Sequence, residues 1–263
     1  MAYIPRNPYF SEFSFGYAVT EDLVGAAGAG VTIAPVFPSL IEEGNRGYDV
    51  MIGRPGIPLF LQFKLAHCMK RGTARETKAG LLTPPFYRMY LRCGAISNQH
   101  SLLLDLERDG NEVYYVAPGF HRTQDLDDAY QRHQVWNRSF HLRPTQIGDL
   151  DSSDHHVSFH LPGTWHVFSD KQRRSGETPQ PQEWLKTIQA RLKSGDIRPV
   201  SAQLQKLDHS IMKIFRERKD EIIEWKPVSV DRLETDLRPI QRVSYLARIF
   251  FDCQFMIATE TAS

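Results

Sequence analysis

The chain has 263 residues, with 32 lysines and arginines against 31 aspartates and glutamates, which gives a net charge of +1. This length allows one large or two modest domains with a sizeable core. The near-neutral charge excludes a protein that holds duplex nucleic acid by a basic surface alone. No apolar run is long enough to span a bilayer, and the three cysteines lack metal-finger spacing. We therefore expect a cytoplasmic protein without a signal peptide or a membrane partner.

Apolar periodicity predicts an α/β order of elements in the first 120 residues. Phe13, Tyr17, Val24 and Gly28 recur at helical spacing, which predicts a helix over 11–28 that buries this stripe. The later predicted elements are strands over 31–36, 48–52, 58–65 and 86–91, a helix over 99–109 and a strand over 113–117. The order is therefore helix, three strands, an insertion that contains the strand over 86–91, helix and strand.

Two polar residues interrupt the apolar strand 58–65. Because strand side chains alternate between faces, Gln62 and Lys64 share one face, and their apolar neighbours share the other. Asp49 lies in the preceding strand, beyond a Pro/Gly turn at 53–56, so the two strands are predicted to form a hairpin. On spacing alone, an ordinary hairpin with Gln62 and Lys64 on a solvated face is the favoured interpretation.

The Asp49 strand and the Gln62-Phe63-Lys64 triplet, in this order of elements, resemble the PD-(D/E)xK nuclease superfamily. The triplet has Gln62 in place of Glu, as in Mrr-type enzymes, and no proline precedes Asp49. The resemblance covers about the first 120 residues. It implies an α/β fold with a restriction-endonuclease-like αβββαβ core, which the remaining sequence extends with a β-rich part and a helical C-terminal region.

The resemblance implies that Asp49 and Gln62 hold Mg²⁺ or Mn²⁺. It also implies that Lys64 stabilises negative charge on the phosphoryl oxygens. An amide oxygen can ligate a hard cation, but without charge, so Gln62 should lower metal affinity. A glutamate of the first helix often completes the site, and Glu21 fits that role. The alternative is that Glu21 is a first-turn acid of a helix capped by Thr20.

Other acidic side chains are weaker candidates for the same site. Glu12 lies earlier in the first helix, and Glu42 and Glu43 come shortly before Asp49. The simpler interpretation of Glu42 and Glu43 is that they are exposed loop residues.

A basic loop over 66–85 follows the triplet. Lys70, Arg71 and Arg75, with Lys78 after them, could contact phosphates, because Lys and Arg supply affinity that does not depend on sequence. A solvated charged loop is the alternative. The helix beyond the loop begins with Gln99 and His100, which either face the site or are ordinary first-turn polar residues.

Seven histidines gather in the middle region, and they raise the alternative of a zinc site. They are His121, His133, His141, His155, His156, His160 and His166. On a strand, His156 and His160 lie too far apart to bind one ion without a bend, and no metal-binding helix or Cys-x-x-Cys pair accompanies them. Polar histidines at sheet edges are therefore the favoured interpretation.

The predicted domains are a nuclease domain over 1–170 and a helical C-terminal region over 171–263. Helical spacing predicts helices over 181–194, 201–225 and 239–259, the last of them rich in aromatic residues. Such a helix should pack into the core or against another subunit, so a protein partner or a homo-oligomer is expected.

The sequence thus predicts a metal-dependent endonuclease acting on DNA or RNA. By analogy alone, such proteins often act in bacterial antiviral defence against phage. Two alternatives remain open. One is a catalytically inactive nuclease-fold module for binding or assembly, and the other is a hydrolase of another phosphoester that uses the histidine-rich half.

Overall fold

A computed structural model describes residues 8–25, 31–36, 55–91, 98–168, 174–221 and 230–260 of the chain. Within these ranges the protein is mixed α/β, with two five-stranded sheets and helices on both sides of the first sheet. None of the helices in these ranges is long and apolar enough to cross a membrane.

Among the helices in these ranges, those that begin at Gln99 and Pro181 lie close to their predicted bounds. The helices are α1 (Glu12–Val24), α2 (Arg75–Lys78), α3 (Gln99–Arg108), α4 (Thr123–Gln131), α5 (Pro144–Ile147), α6 (Pro181–Lys193), α7 (Val200–Arg218), α8 (Val230–Asp236) and α9 (Pro239–Ile249). Two 3-10 turns, Trp136–Arg138 and Lys219–Glu221, complete them.

The strands form two sheets. They are β1 (Val31–Pro35), β2 (Gly56–Phe63), β3 (Ala66–Met69), β4 (Phe86–Leu91), β5 (Glu112–Pro118), β6 (Ser139–Leu142), β7 (His155–Phe159), β8 (Thr164–Phe168), β9 (Ser175–Glu177) and β10 (Gln254–Glu260). The first sheet has the order β1-β10-β2-β5-β6, and the second has the order β3-β4-β7-β8-β9.

The first sheet is central because both of its faces are covered. One face, with Leu59 and Leu61 of β2, packs on α1, α4 and α6. The other face, with Phe60 of β2 and Phe255 of β10, packs on α3, α7, α9 and the inner face of the second sheet. A strand buried on both sides reads as a continuous apolar run, which explains the sequence of β2.

The neighbours of β2 differ from the predicted hairpin. Along one edge β2 pairs antiparallel with β10, and along the other it pairs in parallel with β5. The segment 48–52, which the sequence predicts as the hairpin partner, lies outside the described residues. The parallel pair has α3 as its crossover, which agrees with the helix and strand predicted after the triplet.

The predicted C-terminal helix over 239–259 is only half correct. The helix ends at Ile249, and after a short turn the chain forms β10 in the middle of the first sheet. The dense aromatic run fits the period of a helix and that of a strand. Phe250 and Phe251 directly follow the helix, whereas Phe255 belongs to the strand. The C-terminal region is therefore not entirely helical, and strand pairing crosses the predicted boundary at residue 170.

The helix α1 buries a different face from the predicted one. Phe15, Val19 and Leu23 are fully buried, whereas Phe13 and Tyr17 are 76% and 59% exposed. The helix carries two apolar stripes, and the sequence pattern alone does not show which of them meets the sheet. The predicted stripe thus faces solvent in the part of it that the structure describes.

Candidate functional site

Gln62 lies near the end of β2 at a buried position. Strand alternation places it on the same face as the core residue Phe60, and only 1% of Gln62 is exposed. The alternative of a solvated face is therefore wrong for Gln62. A buried amide costs free energy unless it is hydrogen-bonded, so the partners of Gln62 define the surroundings of the site.

Gln99, the first residue of α3, connects Gln62 to two charged side chains. Its Nε2 donates to Gln62 Oε1 at 3.0 Å and to Asp252 Oδ2 at 2.9 Å. Its Oε1 accepts a hydrogen bond from Lys64 Nζ at 2.8 Å. Gln62 Nε2 also donates to Asp252 Oδ2, at 3.2 Å. The predicted residues Gln62 and Lys64 are thus brought together through Gln99, and all four side chains form one network.

His100, which follows Gln99 on α3, does not face the same network. It is buried, and its ring nitrogens lie 3.0 Å from the Tyr115 hydroxyl and 2.8 Å from the Gly148 carbonyl oxygen. Burial lowers the pKa of His100, so its neutral form is favoured. This histidine stabilises the core, and the two residues that begin α3 have separate roles.

Asp252 is the member of the network that sequence reasoning missed. It lies in the turn between α9 and β10, with a φ of 51° in the left-handed region, where aspartate is more common than most residues. Its side chain is exposed at the surface of the site. In the sequence, Asp252 lies between two apolar runs, which is typical of a turn between two elements. Both runs also fit one continuous helical spacing, so the sequence does not reveal the turn.

Cys253 closes the inner side of the network. Its thiol lies 3.8 Å from Gln62 Oε1, and burial raises the pKa of this thiol well above its ordinary value. The thiol is therefore neutral and at most a weak donor to the amide oxygen. The charges of the network are carried by Lys64 and Asp252.

A cleft of about 640 Å³ opens onto this network. Gln62 and Asp252 lie at its polar side together with Arg248 of α9, and Glu12 of α1 also lines it. The volume falls in the range of small-molecule and cofactor sites. The cleft therefore has room for a substrate group beside the Gln62–Asp252 pair.

Gly16 fixes the distance between α1 and β2 at the cleft. A Cβ atom at this position would lie 2.7 Å from the ring of Phe63, closer than real Cβ contacts allow. Glycine therefore lets the helix approach the end of β2, and this approach brings the exposed side of α1 to the cleft.

Glu21 does not lie among the residues that line the cleft. It is half-buried on α1, and its hydrogen bond to Tyr130, with burial as the next cause, raises the pKa of Tyr130 to about 12. Nor does Thr20 cap the helix, because α1 begins eight residues earlier in the sequence, at Glu12 with Ser11 as its N-cap. The cleft instead receives Glu12 from this helix, which the sequence ranks as a weaker candidate.

The remaining predicted metal ligand, Asp49, lies outside the described residues, as do Glu42 and Glu43. In the part of the chain that the structure describes, no three His, Cys, Asp or Glu side chains group to hold a metal ion. The described residues place Asp252 and the oxygen of Gln62 together, and Gln99 connects both of them to Lys64.

The predicted basic loop is anchored on the outer face of the second sheet. Lys70, Arg71 and Arg75 are exposed, but the next residue of α2, Glu76, is fully buried. Glu76 accepts hydrogen bonds from Arg88, at 2.6 to 2.9 Å, and from Ser158 Oγ at 2.6 Å. The loop therefore has a fixed anchor between its exposed cations.

The Glu76 carboxylate is ionised despite its burial. Burial alone would raise its pKa, but the hydrogen bonds from His156, Ser158 and Arg88 outweigh burial and hold the pKa below its ordinary value. The Nε2 atom of His156 lies 3.1 Å from Glu76 Oε1. The network thus attaches α2 to strands β4 and β7.

Several of the histidines are buried. His141 is 3% exposed and stacks on Trp136 with ring centroids 5.2 Å apart, and burial lowers its pKa to about 4. His156 and His160 bind separate partners, Glu76 and the Thr83 carbonyl oxygen at 2.7 Å. These contacts give the three histidines structural roles.

Comparison of the chain with protein-family models, with curated proteins and with solved structures finds no significant match. The candidate site is therefore defined by the geometry of this chain.

Proposed function

We propose that the protein is a metal-dependent nuclease that hydrolyses phosphodiester bonds of DNA or RNA on a restriction-endonuclease-like core. The observation that carries the proposal is the buried Gln62 of β2, linked through Gln99 to both Lys64 and Asp252 at a cleft. The order of the first helix, the triplet strand, α3 and the parallel strand β5 supports the proposal, although β10 and β5 occupy both edges of the triplet strand.

The oxygen atoms of Gln62 and Asp252 are of the type that a hard divalent cation prefers as ligands. Gln62 Oε1 and Asp252 Oδ2 lie within 3.0 Å of the same nitrogen, Gln99 Nε2, so a group of partial positive charge already lies between these two oxygens. With Asp49, they would hold Mg²⁺ or Mn²⁺ through oxygen ligands. Such a cation, when bound, activates water and offsets charge on the phosphoryl group.

Lys64 is the side chain proposed to stabilise the transition state. Its ammonium group is half-buried and directed to the network by Gln99 Oε1, so little reorganisation is needed when negative charge develops on the phosphoryl oxygens. Gln99 would act as a positioning residue for Lys64, and Gln62 as a positioning residue for Asp252.

A second candidate function is a binding or assembly module of the same fold without catalysis. Two observations favour it: Gln62 brings no charge, and its oxygen already accepts a hydrogen bond from Gln99. This module would bind nucleic acid in the cleft but would cut it neither with Mg²⁺ nor with Mn²⁺.

Cleavage assays with the purified full chain separate these two functions. Plasmid, single-stranded DNA and RNA are incubated with Mg²⁺ or Mn²⁺. We expect Lys64→Ala and Asp49→Ala to reduce cutting by about a hundredfold or more, because Lys64 would stabilise the transition state and Asp49 would hold the metal. Lys186→Ala is the matched control, since Lys186 is 68% exposed in a surface ion pair with Glu183.

The pattern of losses decides the outcome. Metal-dependent cutting that survives in Lys186→Ala but not in the two site variants supports the nuclease. Cutting that persists in Lys64→Ala contradicts the proposed role of the site, and an absence of cutting on every substrate favours the binding module. Thermal melting of each variant checks that the fold is retained.

A further inference from the structure

The exposed side of α1 forms an aromatic wall beside the candidate catalytic residues. We define the aromatic wall as Phe13 and Tyr17, which lie one helical turn apart and both line the cleft. Phe13 is 76% exposed and Tyr17 is 59% exposed. Both rings have large apolar areas whose burial against another group would be favourable. Rings exposed to this degree at the mouth of a cleft indicate a surface that meets a ligand.

The lining of the cleft outside α1 is partly polar and includes one cation, Arg248. Arg248 of α9 is exposed, and Lys64 is connected to Gln62 and Asp252 through Gln99. The cleft thus combines two exposed aromatic rings with an arginine. This is the combination by which proteins hold single-stranded nucleic acid, since bases stack on rings and phosphates contact Lys or Arg.

We propose that the cleft takes a single strand, whose unstacked bases lie on Phe13 and Tyr17 while its backbone passes Arg248 toward Gln62 and Asp252. This inference rests on the proposed nuclease function and names its substrate class. In a duplex the base faces are already stacked on one another, so the aromatic wall would find no partner. The net charge of +1 agrees, because duplex binding depends more strongly on many phosphate contacts.

Binding without metal tests the inference separately from cleavage. Fluorescence anisotropy in EDTA measures binding of the full-length protein to labelled twelve-nucleotide dT and U strands. A labelled duplex of equal length is the comparison. We expect Phe13→Ala and Tyr17→Ala each to weaken single-strand binding about five- to hundredfold, the range seen for the loss of one base–ring stack. Phe13→Trp and Tyr17→Phe should restore it, because they retain a ring.

Two exposed residues away from the cleft provide matched controls. Val24→Ala removes an exposed apolar side chain from the other end of α1, and Tyr90→Ala removes a 41% exposed tyrosine from β4 in the second sheet. Both should leave single-strand binding within about twofold of the wild type, since neither residue meets the proposed strand. The dT and U arms show whether the strand is DNA, RNA or either.

The salt dependence gives a second readout. With about two phosphate contacts, from Arg248 and Lys64, the logarithm of the single-strand binding constant should fall with the logarithm of salt concentration with a slope of about −1.4. A steep slope would contradict the inference, because it would mean that many cations rather than the rings hold the strand.

Other outcomes overturn the inference in distinct ways. If Phe13→Ala and Tyr17→Ala weaken duplex binding and single-strand binding equally, the aromatic wall does not select a single strand. The same conclusion follows if these substitutions weaken neither kind of binding. If they instead convert an oligomer to a monomer by light scattering, the wall is a subunit interface. Ring-dependent binding without any cleavage would leave the single-strand inference intact while the nuclease proposal fails.

Discussion

Replacing Glu76 by glutamine should lower the free energy of unfolding by about 3 to 5 kcal/mol. Glu76 is fully buried and is the counter-ion of Arg88, whose side chain is only 14% exposed. Glu76→Gln keeps the shape but leaves the guanidinium without an opposite charge, and the new amide group directs donors at other donors. Urea denaturation at neutral pH, followed by circular dichroism, measures the loss.

A surface ion pair provides the control for this prediction. Glu183 and Lys186 are 66% and 68% exposed on α6 and are joined at 2.6 Å. Glu183→Gln should change the free energy of unfolding by at most about 1 kcal/mol, because water and salt screen an exposed pair. Equal losses in the two variants would contradict the view that the buried Glu76 network anchors the basic loop.

The effect of Glu76 should depend on pH in one direction. Because the folded protein holds the pKa of Glu76 below its ordinary value, the carboxylate stabilises the fold at every pH above the unfolded pKa, about 4.3. This contribution is lost as the pH falls below that value toward the lowered folded pKa. The difference between wild type and Glu76→Gln should therefore shrink on acidification, and a difference that grows at about pH 3 would contradict the argument.

The sequence predicts half of the candidate site well because that half is local. Strand alternation predicts that Gln62 and Lys64 share one face, and helical spacing predicts α3 nearly over its observed bounds, although β2 itself ends at Phe63. Both predictions use neighbours within a few residues, for which side-chain direction follows from the period of the element.

Asp252 could not be predicted in the same way. It joins Gln62 from 190 residues further along the chain, and only the insertion of β10 between β1 and β2 brings it there. Nothing in the spacing of the C-terminal aromatic residues decides between a long helix and a helix followed by a strand. The same limit applies to α1, where the close approach of Gly16 to Phe63, a contact between two elements, decides which of two apolar stripes is buried.

Replacing Gln62 by glutamate should make the free energy of unfolding depend on a divalent metal. In EDTA we expect the variant to lose about 2 to 4 kcal/mol, because a buried carboxylate replaces an amide that donates to Asp252 at 3.2 Å. Two like charges then face each other beside Gln99. The loss is measured by urea denaturation or by the fall in melting temperature.

Adding Mg²⁺ or Mn²⁺ should reverse most of that loss. A cation held by both carboxylates binds only the folded protein, so at about one hundred times its dissociation constant it adds about 2.7 kcal/mol to the free energy of unfolding. Wild type should show a smaller shift at the same concentration, because Gln62 contributes an oxygen without charge. Calorimetric titration of the metal into both proteins gives the two affinities directly.

Gln203→Glu is the matched control, because it too places a carboxylate where a glutamine donates two hydrogen bonds. Gln203 Nε2 donates to the Gly56 and Arg198 carbonyl oxygens at 2.8 and 2.6 Å, away from Asp252. This variant should lose stability, yet Mg²⁺ should not restore it. If Mg²⁺ also fails to restore Gln62→Glu, then Gln62 and Asp252 do not face a shared cation, and the binding module becomes the better account of this cleft. A selective rescue would instead mean that the wild-type amide weakens an existing metal site, since one added charge would be enough to reveal it.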